Sequence, residues 1–184
     1  VADGGSNDAT LAIADGVGAH IVHAGKGRGA RLMAGAAAAK SDWLLFLHPG
    51  TVLERGWDSE AQSFIDQALL ERPRAAVFRF ALEDFGGAAR RAETKAALRS
   101  VLLALPYGDQ GLLVPKRLYD RVGGYRALAR MEDADIVRRI GRRRLVRLRA
   151  RAVNAIRPPK STLRGLALGL LHAIGIPAVV LARF

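Results

Sequence analysis

The chain has 184 residues, half of them apolar, no cysteine, and a formal net charge of +12. That much apolar chain reads as one packed globular domain rather than a disordered chain, and the lack of cysteine excludes a disulfide framework or a thiolate zinc site and fits a reducing, cytoplasmic compartment. The excess of Lys and Arg, 29 against 17 Asp and Glu, favours polyanionic partners: nucleotide diphosphates, an anionic membrane surface or nucleic acid. Nucleic acid ranks last, because no basic helix with interleaved aromatics is present.

In chain order, Val1-Ala2-Asp3 reads as the end of a strand running into a Gly4-Gly5 turn. Ser6, Asn7 and Asp8 offer capping oxygens to a helix over residues 10–15, with Gly16 as its left-handed C-terminal cap, so Asp8 reads as a cap before it reads as a ligand. A strand follows over residues 19–23, where His20 and His23 point to opposite faces and make no zinc site. After the glycine-rich residues 25–29, an alanine-rich helix is predicted over 30–40 and a strand buried on both faces over 42–47. A helix over 57–71 is stopped by Pro73, and a strand over 75–82 has its apolar run broken by Arg79.

Gly86-Gly87 marks a turn, residues 93–105 have helical periodicity, 111–114 form a short strand, and 117–122 a helix ended by Gly123-Gly124. The arginine-dense residues 138–151 alternate charged and apolar over their second half, the pattern of a strand with one wet face. After Pro158-Pro159 an apolar segment carries Gly165 and Gly169 at the spacing of a membrane helix contact. Arg164, His172 and Pro177 interrupt it and it falls short of the roughly 20 apolar residues of a span, so it reads as a helix packed on the domain or lying at a membrane surface. The division is an α/β domain over 1–157 and a C-terminal helical segment over 158–184, and the alternation of strand and helix predicts a mostly parallel central sheet.

Open α/β sheets bind ligands beyond the carboxyl ends of their strands, so polar residues past predicted strand ends come first as site candidates. Four places qualify: Asp3 to Ser6, His48 to Thr51, Gly108 to Gly111, and Glu132-Asp133. Read alone, Gly108 to Gly111 is an ordinary turn, and Glu132-Asp133 are acidic residues favoured in a helix's first turn. Together the runs Asp3-Gly4-Gly5-Ser6-Asn7-Asp8-Ala9-Thr10, Lys26-Gly27-Arg28-Gly29, Phe46-Leu47-His48-Pro49-Gly50-Thr51, Gly108-Asp109-Gln110-Gly111 and Met131-Glu132-Asp133-Ala134-Asp135-Ile136 are more specific. They resemble the inverting family 2 glycosyltransferases of the GT-A fold, in a branch whose motifs read roughly DGGSTDGT, GRA, FLHADT, GDQG and MEDVDL.

The resemblance implies a Rossmann-like nucleotide-sugar-binding fold and transfer of a sugar from a nucleotide diphosphate donor to a hydroxyl acceptor with inversion. On that pattern Asp3 lies near the nucleotide base or ribose, Lys26, Arg28 and His48 lie on the donor side, and Asp109 and Gln110 line the acceptor side. Asp133, supported by Glu132, is the general base. The family also implies Mg²⁺ or Mn²⁺ on the donor diphosphate, held by a carboxylate at the position that Gly50 fills here. Met33 stands where the family carries Asn, and family members have a strand and helix ahead of the Asp3 turn that complete the nucleotide site, so the chain reads as beginning in mid-fold. Gly50 leaves three consequences open: another carboxylate holds the cation, arginines such as Arg28, Arg138 and Arg139 neutralise the diphosphate, or the protein is a catalytically inactive relative that binds a partner or an anionic membrane.

Overall fold

The computed structural model describes residues 1–83, 108–128 and 130–154. The predicted turn at Gly86-Gly87, the helix over 93–105 and the C-terminal segment over 158–184 lie outside these residues. In order the elements are β1 (Ala2–Asp3), α1 (Thr10–Gly16), β2 (Val22–His23), α2 (Arg28–Ala38), β3 (Trp43–Phe46), β4 (Thr51–Leu53), α3 (Trp57–Leu70), β5 (Ala75–Leu82), a 3-10 turn (Gly108–Gln110), β6 (Leu112–Pro115), α4 (Lys116–Arg121), α5 (Glu132–Ile140), a second 3-10 turn (Arg142–Arg144) and β7 (Leu145–Asn154).

The α/β architecture holds, but the pairing is mixed rather than mostly parallel. β1 and β2 form a parallel two-stranded sheet, and the other strands form a five-stranded sheet in the order β3-β6-β5-β7-β4. Only β5 and β7 are parallel within the larger sheet; β3–β6, β5–β6 and β4–β7 are antiparallel. The reason is local. β4 and β6 are short strands entered from turns at the carboxyl ends of their neighbours, so each runs back along the sheet without the crossover helix that a parallel return requires. Phe46 pairs with Leu112, and Leu82, Asn154 and Thr51 share a register. The His48–Gly50 turn, the Gly108–Gln110 turn and the end of β7 therefore gather at one end of the sheet.

The sheet is covered on both faces. Along β5, Ala75 and Val77 join Leu44, Val114, Leu118, Ile136 and Ile140 under α2, α4 and α5, whereas Ala76 and Phe78 join Leu113, Leu148 and Ala152 under Ala61, Phe64 and Ala68 of α3. This is the period-two alternation of a strand placed between two apolar layers. β7 has the single wet face its pattern predicts: Leu148 and Ala152 are buried and Arg147, Arg149 and Arg151 exposed. β3 differs from expectation, since only Leu44 of its four residues is buried. It is an edge strand, and an edge receives less cover than the continuous apolar run suggests.

Smaller departures have simple causes. The left-handed residue after α1 is Gly18, not Gly16, because the helix runs one turn position further before closing through Gly18 N–H to Asp15 O. Asp8 accepts the Thr10 N–H at 3.0 Å and so serves the helix start, although Ala9 stands at the N-cap position itself. Among the described residues no helix is long and apolar enough to cross a membrane.

Candidate active site

The site begins with a close approach of backbones. A Cβ built on Gly29, the second residue of α2, would lie 2.3 Å from Arg126 O and 3.0 Å from Leu128 N. Glycine is required there because the start of α2 butts against the 126–128 loop. That contact carries the preceding residue, Arg28, over the first turn of α5. Its Nη1 donates to Glu132 Oε1 at 2.9 Å and to Asp133 Oδ2 at 2.5 Å, across more than a hundred residues of sequence.

The carboxylate of Asp133 is held from a second side. Tyr125 donates its hydroxyl to Asp133 Oδ1 at 2.9 Å, and its own N–H is accepted by the Tyr119 hydroxyl at 3.0 Å. Phe46 stacks on Tyr119 and meets Tyr125 edge-on, so the tip of β3 packs behind the Tyr125 ring. Glu132 and Asp133 open a helix, as the reading of them as first-turn acidic residues has it, and do not follow a strand end; the free N–H groups and dipole of that helix end favour negative charge. The residue before them, Met131, sits in the left-handed region at φ 62°. A non-glycine side chain there costs about 1–2 kcal/mol, so the turn that presents the two carboxylates stores strain.

Burial and charge act together on these groups. Burial works against the Arg28 charge, but Asp133 and Glu132 outweigh it and its pKa is raised. Burial pushes the Glu132 carboxyl above the ordinary carboxylate value, with the neighbouring Asp133 charge adding to it and Arg28 opposing. Burial also pushes the Tyr125 phenol well up, helped by the Asp133 charge, so it remains a hydroxyl donor. Arg28, Phe46, Leu47, Gly111, Tyr125 and Asp133 line a cavity of about 10 Å³, room for a single water. Gly111 has φ +66°, and a Cβ there would lie 3.0 Å from Leu47 and 3.2 Å from Phe78, so a side chain would be strained and crowded. This seats the Asp109-Gln110 turn beside the cavity. The turn is held by Asn154, whose Nδ2 donates to Asp109 O at 2.9 Å and whose Oδ1 accepts from Thr51 Oγ1 at 2.6 Å.

With this geometry in place, comparison with known proteins is informative. Residues 1–71 match the profile described as Glycosyl transferase family 2. The solved structure of glucosyl-3-phosphoglycerate synthase from Mycobacterium tuberculosis in complex with Mn²⁺ and UDP-Glc superposes with a TM-score of 0.60 at 19% identity, covering 96% of this chain and 68% of that one. Mannosyl-3-phosphoglycerate synthase from Rubrobacter xylanophilus gives 0.56 at 19% identity, covering 95% and 61%. The chain has the fold of these GT-A glycosyltransferases, and its first 71 residues resemble family 2. No curated protein sequence matches it.

Within the GT-A frame the remaining candidates separate. Asp3 is buried, and its carboxylate accepts the N–H of Gly5 at 2.8 Å, the N–H of Ser6 at 3.1 Å and the Ser6 hydroxyl at 2.5 Å. These bonds, the Ser6 hydroxyl first, hold its pKa below the ordinary value, and they fix the shape of its own turn. Lys26 is exposed in the turn before α2, and Gln110 is buried. Arg139 is committed elsewhere: it donates to Asp135 and to Val122 O, clamping α4 to α5, which removes it as a diphosphate partner. Arg138 is exposed on the same helix.

The residues at the expected cation position do not fit a divalent metal. Gly50 brings no side-chain ligand, and among the described residues no three His, Asp or Glu side chains converge. His48 is also poorly placed as one. Its Nδ1 accepts the Gly50 N–H at 3.2 Å, which leaves the ring proton on Nε2 as a donor. Sequence reasoning did not find Tyr125 or Asn154. A hydroxyl on an otherwise apolar loop aromatic, and one amide ending a strand of alternating arginines, were the only signals.

Proposed function

We propose that the protein transfers a sugar from a nucleoside diphosphate sugar to a hydroxyl acceptor with inversion, with Asp133 as the general base. The observation that carries the reading is the Arg28–Glu132–Asp133 cluster. It joins the loop assigned to the donor with the carboxylates assigned to proton removal, beside a cavity at the Asp109-Gln110 turn. The family profile and the UDP-Glc complex of the structurally similar synthase support the donor class.

In the reaction, the acceptor oxygen forms a bond to the anomeric carbon as the bond from that carbon to the diphosphate oxygen breaks. The diphosphate leaves with the electron pair, and the acceptor proton passes to the Asp133 carboxylate. Tyr125 and Arg28 orient that carboxylate. Arg28 also keeps a positive charge beside the developing negative charge of the leaving group. Asp109 and Gln110 would contact the acceptor, and Lys26 and His48 the donor, while Asp3 would shape the turn beneath the nucleotide.

The test is transfer from UDP- and GDP-sugars to hydroxyl acceptors, phosphoglyceric acid among them. Replacing Asp133 with Asn should lower kcat by about 10²–10⁴, the range for loss of a positioned base, with KM little changed. Unimpaired transfer by that variant, or no transfer by the unmodified protein, would sink the assignment.

A further inference from the structure

Arg28 uses only one of its nitrogens on the acidic pair. Both bonds leave from Nη1, to Glu132 and to Asp133. Among the described residues Nε and Nη2 have no partner, and the side chain remains 30% exposed while the two carboxylates it grips are 7% and 8% exposed. The guanidinium is therefore anchored on its inner edge and open on its outer one. That outer edge, one Nε–H and one Nη2–H pointing the same way, matches two oxygens of a phosphate. It is also fixed in advance. The Gly29 contact with Arg126 O sets the helix start, and the two carboxylates set the rotamer.

The cation position nearby has the opposite character. Gly50 supplies no side-chain oxygen, and the Nδ1 of His48 is occupied by the Gly50 N–H, so that ring offers a proton rather than a lone pair. His48 follows Leu47, which lines the same cavity as Arg28. The donor set there suits an anion directly and a divalent metal badly.

Resting on the proposed transferase reading, we infer that the donor diphosphate is bound directly by the outer edge of Arg28, without a divalent cation. Arg28 then serves both halves of the reaction. Its inner edge positions the base, and its outer edge takes the charge that a metal ion at the position of Gly50 would otherwise carry.

Calorimetric titration of the full chain with UDP and with GDP, in EDTA and in Mn²⁺, tests this with no need for turnover. The expected result is binding in EDTA within about threefold of that in Mn²⁺. Arg28→Lys, which keeps a charge beside Glu132 and Asp133 but loses the fork, should weaken binding at least tenfold in both buffers, while thermal unfolding shows the variant folded. Binding that appears only with Mn²⁺, or unchanged binding by a folded Arg28→Lys protein, would overturn the inference and leave the transferase reading standing. Binding of neither nucleotide in either buffer overturns the transferase reading, and this inference with it.

Discussion

Glu132 and Asp133 are adjacent in sequence, yet the structure gives them different chemistry. Asp133 is held by Tyr125 and Arg28, whereas the Glu132 carboxyl is raised from its ordinary value of 4.5, chiefly by burial. A carboxyl whose pKa rises on folding binds its proton more tightly in the folded state. Its contribution to stability is fully present below the unfolded value and lost as pH climbs through the folded one. Glu132→Gln removes that titration, so its urea midpoint should fall less steeply than that of the unmodified protein as pH rises from about 4.5 toward neutrality. Parallel curves would show that Glu132 ionises as freely folded as unfolded. At this scale the motif residues were legible because each is a chemical type at a fixed spacing. Tyr125 was not, because its role depends on a loop folding back eight residues to reach Asp133.

Among the elements, α2 does the most to assemble the site. Its alanine-rich body was readable, but its start was not: the helix begins at Arg28, two residues before the predicted 30, because the 126–128 loop offers a surface on which only glycine can land. Gly29→Ala would force a methyl group into Arg126 O, and the neighbour is backbone that cannot rotate away. Overpacking of this kind typically costs about 1–3 kcal/mol. The loss should show in chemical denaturation and should be accompanied by weaker nucleotide binding, as Arg28 lifts from Glu132 and Asp133. Unaltered stability and binding would mean that the loop yields freely.

β7 shows another element-scale limit of sequence. Its alternation predicted the wet face, yet nothing local foretold that Glu60 of α3 would accept the N–H groups of Arg149 and Ala150 at 2.7 Å, or that Glu54 would take that of Arg151. β4 covers only the last residues of β7. The two glutamates satisfy backbone donors that would otherwise form an open strand edge. β4 itself escaped prediction because three residues are too few to show a period.

For the molecule as a whole, the alternation of strand and helix was enough to place the chain in the α/β class, but not to order its strands. Order depends on long-range pairing, which short strands such as β4 and β6 do not advertise. What the topology achieves is convergence. The turn at Gly50, the turn at Asp109, the end of β7 and the last residues of β5 meet at one end of the five-stranded sheet, and Asn154 ties three of them together through Thr51, Asp109 and Ala81.

The division into two sheets has a dynamic consequence. Among the described residues β1 and β2 share no ladder with the larger sheet, and α2 packs on both while its Ala36 belongs to the main core. The small sheet should therefore open as a separate unit, with α2 as a strap across it. Its amides, such as those of Val22 and Ala24 bonded to Val1 O and Asp3 O, should exchange with solvent through excursions cheaper than global unfolding, unlike those of β5. Since the strap begins at Arg28, a nucleotide gripped there should slow exchange at Val22 and Ala24 as well. Hydrogen exchange by mass spectrometry would record this as protection at a distance, and equal exchange of β2 and β5 in the free protein would refute the separation.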